Sequence, residues 1–181
     1  MYREIINKLY EAGVVFSEGL NDDEIKEIEN CYQIKFPEEL KEFYREALPI
    51  SGRFYNWRDL NEKNVKKIKE RILSPSQELI EDISELEWLE QWGVEPDSET
   101  EKHDYILEKT RESCQLIPLF GHRYLASQFP LNNPVFSVYG TDIICYGENL
   151  TQYLMIEFKY EKHSIIEYDK IKEVNFWNDF L

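Results

Sequence analysis

The sequence predicts an α+β fold, with helices gathered in the N-terminal part and strands in the C-terminal half. Two patterns carry that prediction. Up to Ser113, apolar residues recur at the three-to-four spacing of helices that bury one face, and polar N-cap residues stand ahead of them. From Leu116 to Tyr146 they gather instead in short β-rich runs separated by turn signals. Hydrophobic residues make up 42% and aromatics 14% of the 181 residues, enough to build a core. No repeat, low-complexity tract or linker interrupts the chain, so residues 1–181 are expected to form one domain.

Taken in order, Met1–Glu11 should be a short helix with Ile5, Ile6 and Leu9 on one face and Gly13 as its stop. Val14–Phe16 suits a short strand or an extended lead-in. Asn21 followed by Glu24 forms a capping-box pattern, and Asp22, Asp23 and Glu24 place negative charge where the helix dipole favours it. Ile25 and Ile28 then face inward, with Cys31 or Tyr32 completing the stripe. Pro37 suits the first position of the next helix, where its missing N–H would be unpaired anyway. Leu40, Phe43, Tyr44 and Ala47 form that helix's buried face, and Pro49 and Gly52 end it.

Arg53–Leu60 is compatible with a strand or a packed loop. Asn61 should cap a helix to Ile72, with Val65, Ile68 and Ile72 inward and a solvated basic face of Lys63, Lys66, Lys67, Lys69 and Arg71. Ser74-Pro75 should start a new helix ending at Gly93, carrying Leu79, Ile83, Leu86 and Trp88–Trp92, although Ile80 and Ile83 keep part of it compatible with a strand. Asp97 is placed to cap another helix to Ser113.

Leu116–Phe120 should be a strand, at an edge or near its end because of Pro118. Gly121 gives a turn before Tyr124-Leu125, Asn132-Asn133-Pro134 a second, and Gly140-Thr141 a hairpin between Val135–Tyr139 and Asp142–Tyr146. Gly147–Asn149 leads into a helix with Leu150, Tyr153, Leu154 and Phe158 on one face. Ser164–Tyr168 is compatible with a last strand, and Phe176, Trp177 and Phe180 should dock the tail.

The formal net charge is −15, from 36 acidic and 21 basic residues. Such a field repels nucleic acid and anionic lipid and attracts basic partners, which argues against direct DNA or RNA binding. The segment Glu78–Asp104 holds 11 acids against Lys102 alone among lysines and arginines. It suits either a solvated acidic surface or a docking face for a basic protein. No apolar run approaches the ~20 residues that cross a bilayer, and the N-terminus lacks the pattern of a signal peptide. Three widely spaced cysteines, Cys31, Cys114 and Cys145, argue against a disulfide framework or a zinc site. The expectation is a reduced, cytoplasmic protein.

His122-Arg123 with Asp142 is the one set with a catalytic look, a general base and its orienting acid. No nucleophile elbow or phosphate-binding glycine loop accompanies it. These residues are expected to hold turns, leaving no catalytic residues. His103, His122 and His163 show no metal-ligand spacing, and neither metal nor cofactor is expected. Trp88 and Trp92, four apart, suit a core position or a binding platform, and Tyr55 and Trp57 are candidate interface anchors.

Two stretches resemble a known family. GLNDDEIKEIENCYQIKFPEELKEFYREAL (Gly19–Leu48) shows an acidic capped helix, then an apolar-x-apolar-Pro-Glu step, then a helix with paired apolar and aromatic positions. IPLFGHRYL, followed by NPVFSVYGTDIICYGENLTQYL, looks like the signature of one Gram-positive group, and EWLEQWG (Glu87–Gly93) resembles its linking segment. The family is the SUKH superfamily, bacterial immunity proteins related to a yeast cell-wall-assembly regulator. The resemblance spans residues 19–158. It departs at Ala126–Phe129, where the family carries more proline and acid, and at Cys145, where it carries an aromatic.

The resemblance implies helices packed on a twisted, mainly antiparallel sheet and a non-enzymatic role. It implies binding and silencing of a cognate protein toxin, many such toxins being nucleases. The alternative it leaves is a regulatory scaffold that binds a host protein. With the acidic segment, it makes Glu81, Asp82, Glu85, Glu90, Glu95, Asp97, Glu99 and Glu101 the candidate interface, together with Tyr55 and Trp57.

Overall fold

Helix α1 (Arg3–Glu11) buries Ile5 and Leu9 and stops at Gly13, whose φ of +90° is a conformation that a Cβ would strain. In the computed structural model, which describes residues 2–181, five α-helices precede a four-stranded antiparallel sheet and a sixth follows it. The α+β order is the one the patterning predicts. Strand β1 (Phe16–Glu18) begins at the last residue of the predicted extended stretch. Helix α2 (Asp22–Tyr32) has a complete capping box. Asn21 Oδ1 accepts from the Asp23 and Glu24 amides, both at 3.0 Å, and Glu24 Oε2 accepts from the Asn21 amide at 2.8 Å. Tyr32, rather than Cys31, completes its buried stripe.

Pro37 stands one position before its predicted place, as the N-cap of α3 (Glu38–Glu46). Ala47 then turns extended, and β2 (Ala47–Pro49) pairs antiparallel with β1, Phe16 opposite Pro49 and Glu18 opposite Ala47. The predicted helix is therefore cut short. Leu48 is buried as either a helical or a strand residue, so apolar spacing does not distinguish the two. Residues 53–60 form a packed loop, joined to the sheet by one bridge between Phe54 and Phe120.

Helix α4 (Glu62–Glu81) corrects the largest prediction. Asn61 caps it, accepting from the Asn64 amide at 3.0 Å, but the helix runs straight through Pro75. An interior proline forfeits a backbone hydrogen bond and costs about 3 kcal/mol in a free helix. Burial of Ile68, Pro75 and Leu79 as α4 packs on the sheet offsets that loss. The helix predicted to reach Gly93 ends at Glu81, and only a single 3-10 turn at Glu90–Trp92 follows. Helix α5 (Glu99–Glu112) is capped by Ser98, one residue after Asp97.

Strands β3 (Leu116–Phe120), β4 (Arg123–Ala126), β5 (Val135–Tyr139) and β6 (Asp142–Gly147) pair in that order. Pro118 lies on an edge strand, as its missing N–H requires. Gly140 and Thr141 close the β5–β6 hairpin, with Tyr139 opposite Asp142 and Gly140 at φ +57°. Asn149 caps α6 (Leu150–Glu157). Ser164–Tyr168 is not a strand; 3-10 turns at His163–Ile165 and Tyr168–Lys170 take its place.

The sheet has a core on each face. Ile117, Leu119, Leu125 and Val135 join Leu9, Ile28, Leu40, Phe43 and Trp57 in one cluster. Tyr124, Phe136, Val138 and Ile143 join Leu79, Ile106, Trp92 and Trp177 in the other. Helix α4 serves both, through Ile68 in the first and Leu79 in the second.

Two buried glutamates tie down connecting segments. Glu39 Oε1 accepts from Asn133 N at 2.7 Å and Asn133 Nδ2 at 2.8 Å, and Asn133 also brackets Phe129 through its side-chain amide. This pins the 127–134 loop to α3. Asn133→Ala removes three hydrogen bonds, which at about 1 kcal/mol each should cost about 3 kcal/mol in urea denaturation. Glu29 accepts from Lys35 Nζ at 3.0 Å and the Phe36 amide at 2.9 Å, and pairs with Lys41 at 3.2 Å. Burial alone would raise its carboxyl; these donors outweigh it and hold the group below its ordinary value. A depressed folded pKa contributes stability above the unfolded value of about 4.3 and loses it as pH falls through the folded value. The stability gap between wild type and Glu29→Gln should therefore be full at pH 7 and shrink below about pH 4.

Candidate partner-binding surface

The acidic segment spans the end of α4, the turns from Asp82 to Ser98 and the start of α5. Aromatic packing holds it. Trp88 and Trp92 meet edge to face, with centroids 5.3 Å apart, and Tyr105 of α5 lies 4.8 Å from Trp88. Trp92 stacks on Phe176 at 5.8 Å and meets Phe180 at 5.6 Å, which fastens the segment to the docked tail. Its Nε1 donates to Asp179 Oδ2 at 2.6 Å, and Trp88 Nε1 donates to the Gly93 carbonyl at 3.1 Å. Of the two indoles, Trp92 is buried and Trp88 half-buried, so the pair is core first.

The predicted acids divide by what they touch. Glu81, Glu85, Glu90, Asp97 and Glu99 are exposed. Glu95 is ion-paired to Lys102, and Glu101 closes the α5 cap, its amide donating to Ser98 Oγ and its Oε2 accepting from Ser98 Oγ. Asp82 is half-buried, with its carboxylate lying over Gly140. The other two candidates are corrected. Tyr55 is 7% exposed and donates to the Gly121 carbonyl at 2.6 Å; Trp57 is fully buried and donates to Tyr44 Oη at 3.1 Å. Neither reaches a partner, because the loop that carries them closes over the first core.

Sequence spacing gives no sign of the cleft beside this segment. A hollow of about 430 Å³ lies between α5 and the tail, with Trp92, Tyr105 and Phe176 among its walls and Glu112, Glu173 and Asp179 supplying carboxylates. Lys109 shows the chemistry this lining supports: its Nζ is 3.0 Å from Glu112 and 5.6 Å from the Tyr105 centroid. Burial raises the Tyr105 phenol pKa, and Asp179, Glu108 and Glu112 add to the rise against the opposing Lys109. The lining carries three carboxylates, Glu112, Glu173 and Asp179, against the one ammonium of Lys109.

His122 is half-buried, and its ring partners are Arg53, with Nη2 3.0 Å from Nδ1, and the Tyr139 ring, rather than Asp142. Arg123 pairs with Glu157 at 3.1 Å and lies over the Tyr146 ring. These contacts hold strands and turns and form no acid–base relay. Among the described residues no cluster of His, Cys, Asp or Glu is placed to hold a metal ion, and no helix is long and apolar enough to cross a membrane.

Comparison of the chain with protein-family models, curated proteins and solved structures finds no match in any of the three.

Trp92→Ala should cost about 3–5 kcal/mol, the range for a buried large aromatic. It should also open residues 82–98 to limited proteolysis at protease levels that leave the wild type intact.

Proposed function

We propose that the chain is a binding module that neutralises a basic protein toxin by direct contact, as the resemblance to SUKH-superfamily immunity proteins implies, with the complex forming in the cytoplasm. The observation that carries this reading is a surface of outward carboxylates on a segment pinned by an aromatic cluster. Glu81, Glu85, Glu90, Asp97 and Glu99 point to solvent, while Trp88, Trp92 and Tyr105 fix the backbone beneath them. An acidic surface of fixed shape accelerates encounter with a basic protein and competes for the cationic groove that a nuclease needs for its own substrate. The cleft beside it, with aromatic walls and carboxylates, suits a lysine or arginine side chain of such a partner.

The test is co-expression with the toxin-like product of an adjacent gene, scored by growth rescue and by binding kinetics. Rescue with a complex whose association slows as salt rises supports the proposal. A stable complex with a host protein and no rescue would make the chain a non-enzymatic regulatory scaffold. The triple variant Glu85→Lys, Glu90→Lys, Asp97→Lys exchanges only exposed side chains and should fold normally. It should slow association by ~10–100-fold at low salt, with the deficit shrinking as ionic strength rises. Unchanged association at low salt would rule out the acidic surface as the contact.

A further inference from the structure

The chain carries 36 acidic residues, yet one groove on its surface is lined by two cations and, among the described residues, by no carboxylate. Two hollows, of about 410 and 290 Å³, share Ile72, Leu73 and Gln115 and so join along α4. The larger lies between α4 and the end of α5, the smaller between α4 and the end of α2. None of their lining residues falls within 78–104, so the groove is a surface apart from the acidic segment.

We propose that this groove docks an apolar segment of a partner protein that carries acidic residues on either side of its apolar anchors. The walls are apolar: Ile72, Leu73, Pro75, Leu107, Leu116 and Trp177. Leu73 is 53% exposed, so part of this surface is open to solvent. The polar side chains beside it are turned to the protein's own backbone. Ser76 Oγ donates to the Leu73 carbonyl at 3.0 Å, Thr110 Oγ1 to the Leu107 carbonyl at 3.1 Å and Gln115 Nε2 to the Gln33 carbonyl at 3.3 Å. What the walls offer an occupant is therefore mainly apolar surface, as in a side-chain-binding groove.

Charge selects the occupant. Lys69 lines the smaller hollow and Arg111 the larger; both are exposed, and neither has a carboxylate partner among the described residues. Two unpaired cations flanking an apolar groove are complementary to an apolar segment with flanking acids. Apolar contact supplies the affinity, and the two ion pairs, formed at exposed heads, supply the preference. The overall negative field opposes such a segment at a distance. At about 0.15 M salt that field is screened beyond ~8 Å, so the two near cations decide the local preference. A second copy of the chain fits less well, because two molecules of net charge −15 repel each other.

The experiment is NMR of the full chain in about 0.15 M salt, following the methyl groups of Ile72, Leu73 and Leu107 and the Trp177 indole N–H. The probes are a blocked peptide of leucine and alanine with a glutamate at each end, and its counterpart with a lysine at each end. The glutamate peptide should shift these signals saturably, with half-saturation on the order of 0.1–1 mM for a short flexible ligand. The lysine peptide should bind ~10-fold more weakly. Lys69→Glu combined with Arg111→Glu exchanges only exposed, unpaired side chains and should reverse that preference without changing Tm. Leu73→Ser should weaken both peptides. An equal response to the two peptides, a preference unchanged in the double variant, or no saturable shift with the glutamate peptide would overturn the proposal. Shifts of the same signals on concentrating the protein alone would assign the groove to a second copy and overturn it as well.

Discussion

Strands β4 and β5 carry apolar side chains on both faces, and a sheet of that kind is stable only when both faces are covered. Leu125 and Val135 look into one core, Tyr124, Phe136 and Val138 into the other. Helices α1, α2 and α3 with the 53–57 loop cover the first face. Covering the second falls to the end of α4, to α5 and to the tail, elements far apart in sequence. The acidic segment runs from the end of α4 to the start of α5, so its course is constrained at both ends by the demand for cover. Its own tryptophans add to that cover, with Trp92 counted in the second core beside Phe176 and Trp177. The placement of the carboxylates thus follows from the burial of the sheet.

Local chemistry was readable where it was self-contained. The Asn21–Glu24 capping box, the Asn61 cap, the Gly140-Thr141 hairpin, Pro118 on an edge strand and the docked aromatic tail all depend on residues within a few positions of each other or on a single backbone property. At Pro75 and at Ala47–Pro49, tertiary packing overruled a local preference. Pro75 marks a boundary in an isolated helix, yet α4 spans two cores and gains more by continuing than the proline costs. Ala47–Pro49 leaves the helix because β1 is available as a partner, 29 residues earlier at the Glu18–Ala47 pair. Tyr55 and Trp57 read as interface anchors because a loop without periodicity gives no sign of which side is covered. The candidate acids were legible as a charge block. The cleft beside them was not, since it needs Asp179 and Glu173 of the tail next to Glu112 of α5.

The two charged features of the surface differ in how they are stabilised. On the acidic surface most carboxylates are exposed and have no ion-pair partner among the described residues, a state that costs little in water. At the β3–β4 turn the charges are fewer but held by packing, with arginines laid against Phe120, Gly121 and the Tyr146 ring. The first suits long-range attraction, which depends on net sign and weakens with salt. The second fastens the turn and the strands beside it, since its arginines are packed on rings and paired within the fold.

A crowd of like charges also bears on stability. Eleven carboxylates between Glu78 and Asp104 repel one another, and Lys102 answers only Glu95 directly. Each exposed pair contributes little, since water and salt screen it. The sum still favours a loosened segment, and burial of Trp92 and Phe176, with Tyr105 and Phe180 partly covered beside them, opposes it. Charge and packing therefore pull in opposite directions over the same residues. A cationic partner removes the repulsion without disturbing the packing, so its binding should stabilise this segment more than the rest of the molecule. The same balance gives the aromatics beside the acids their role: Trp88 and Trp92 anchor the charged turns to Tyr105 and the tail.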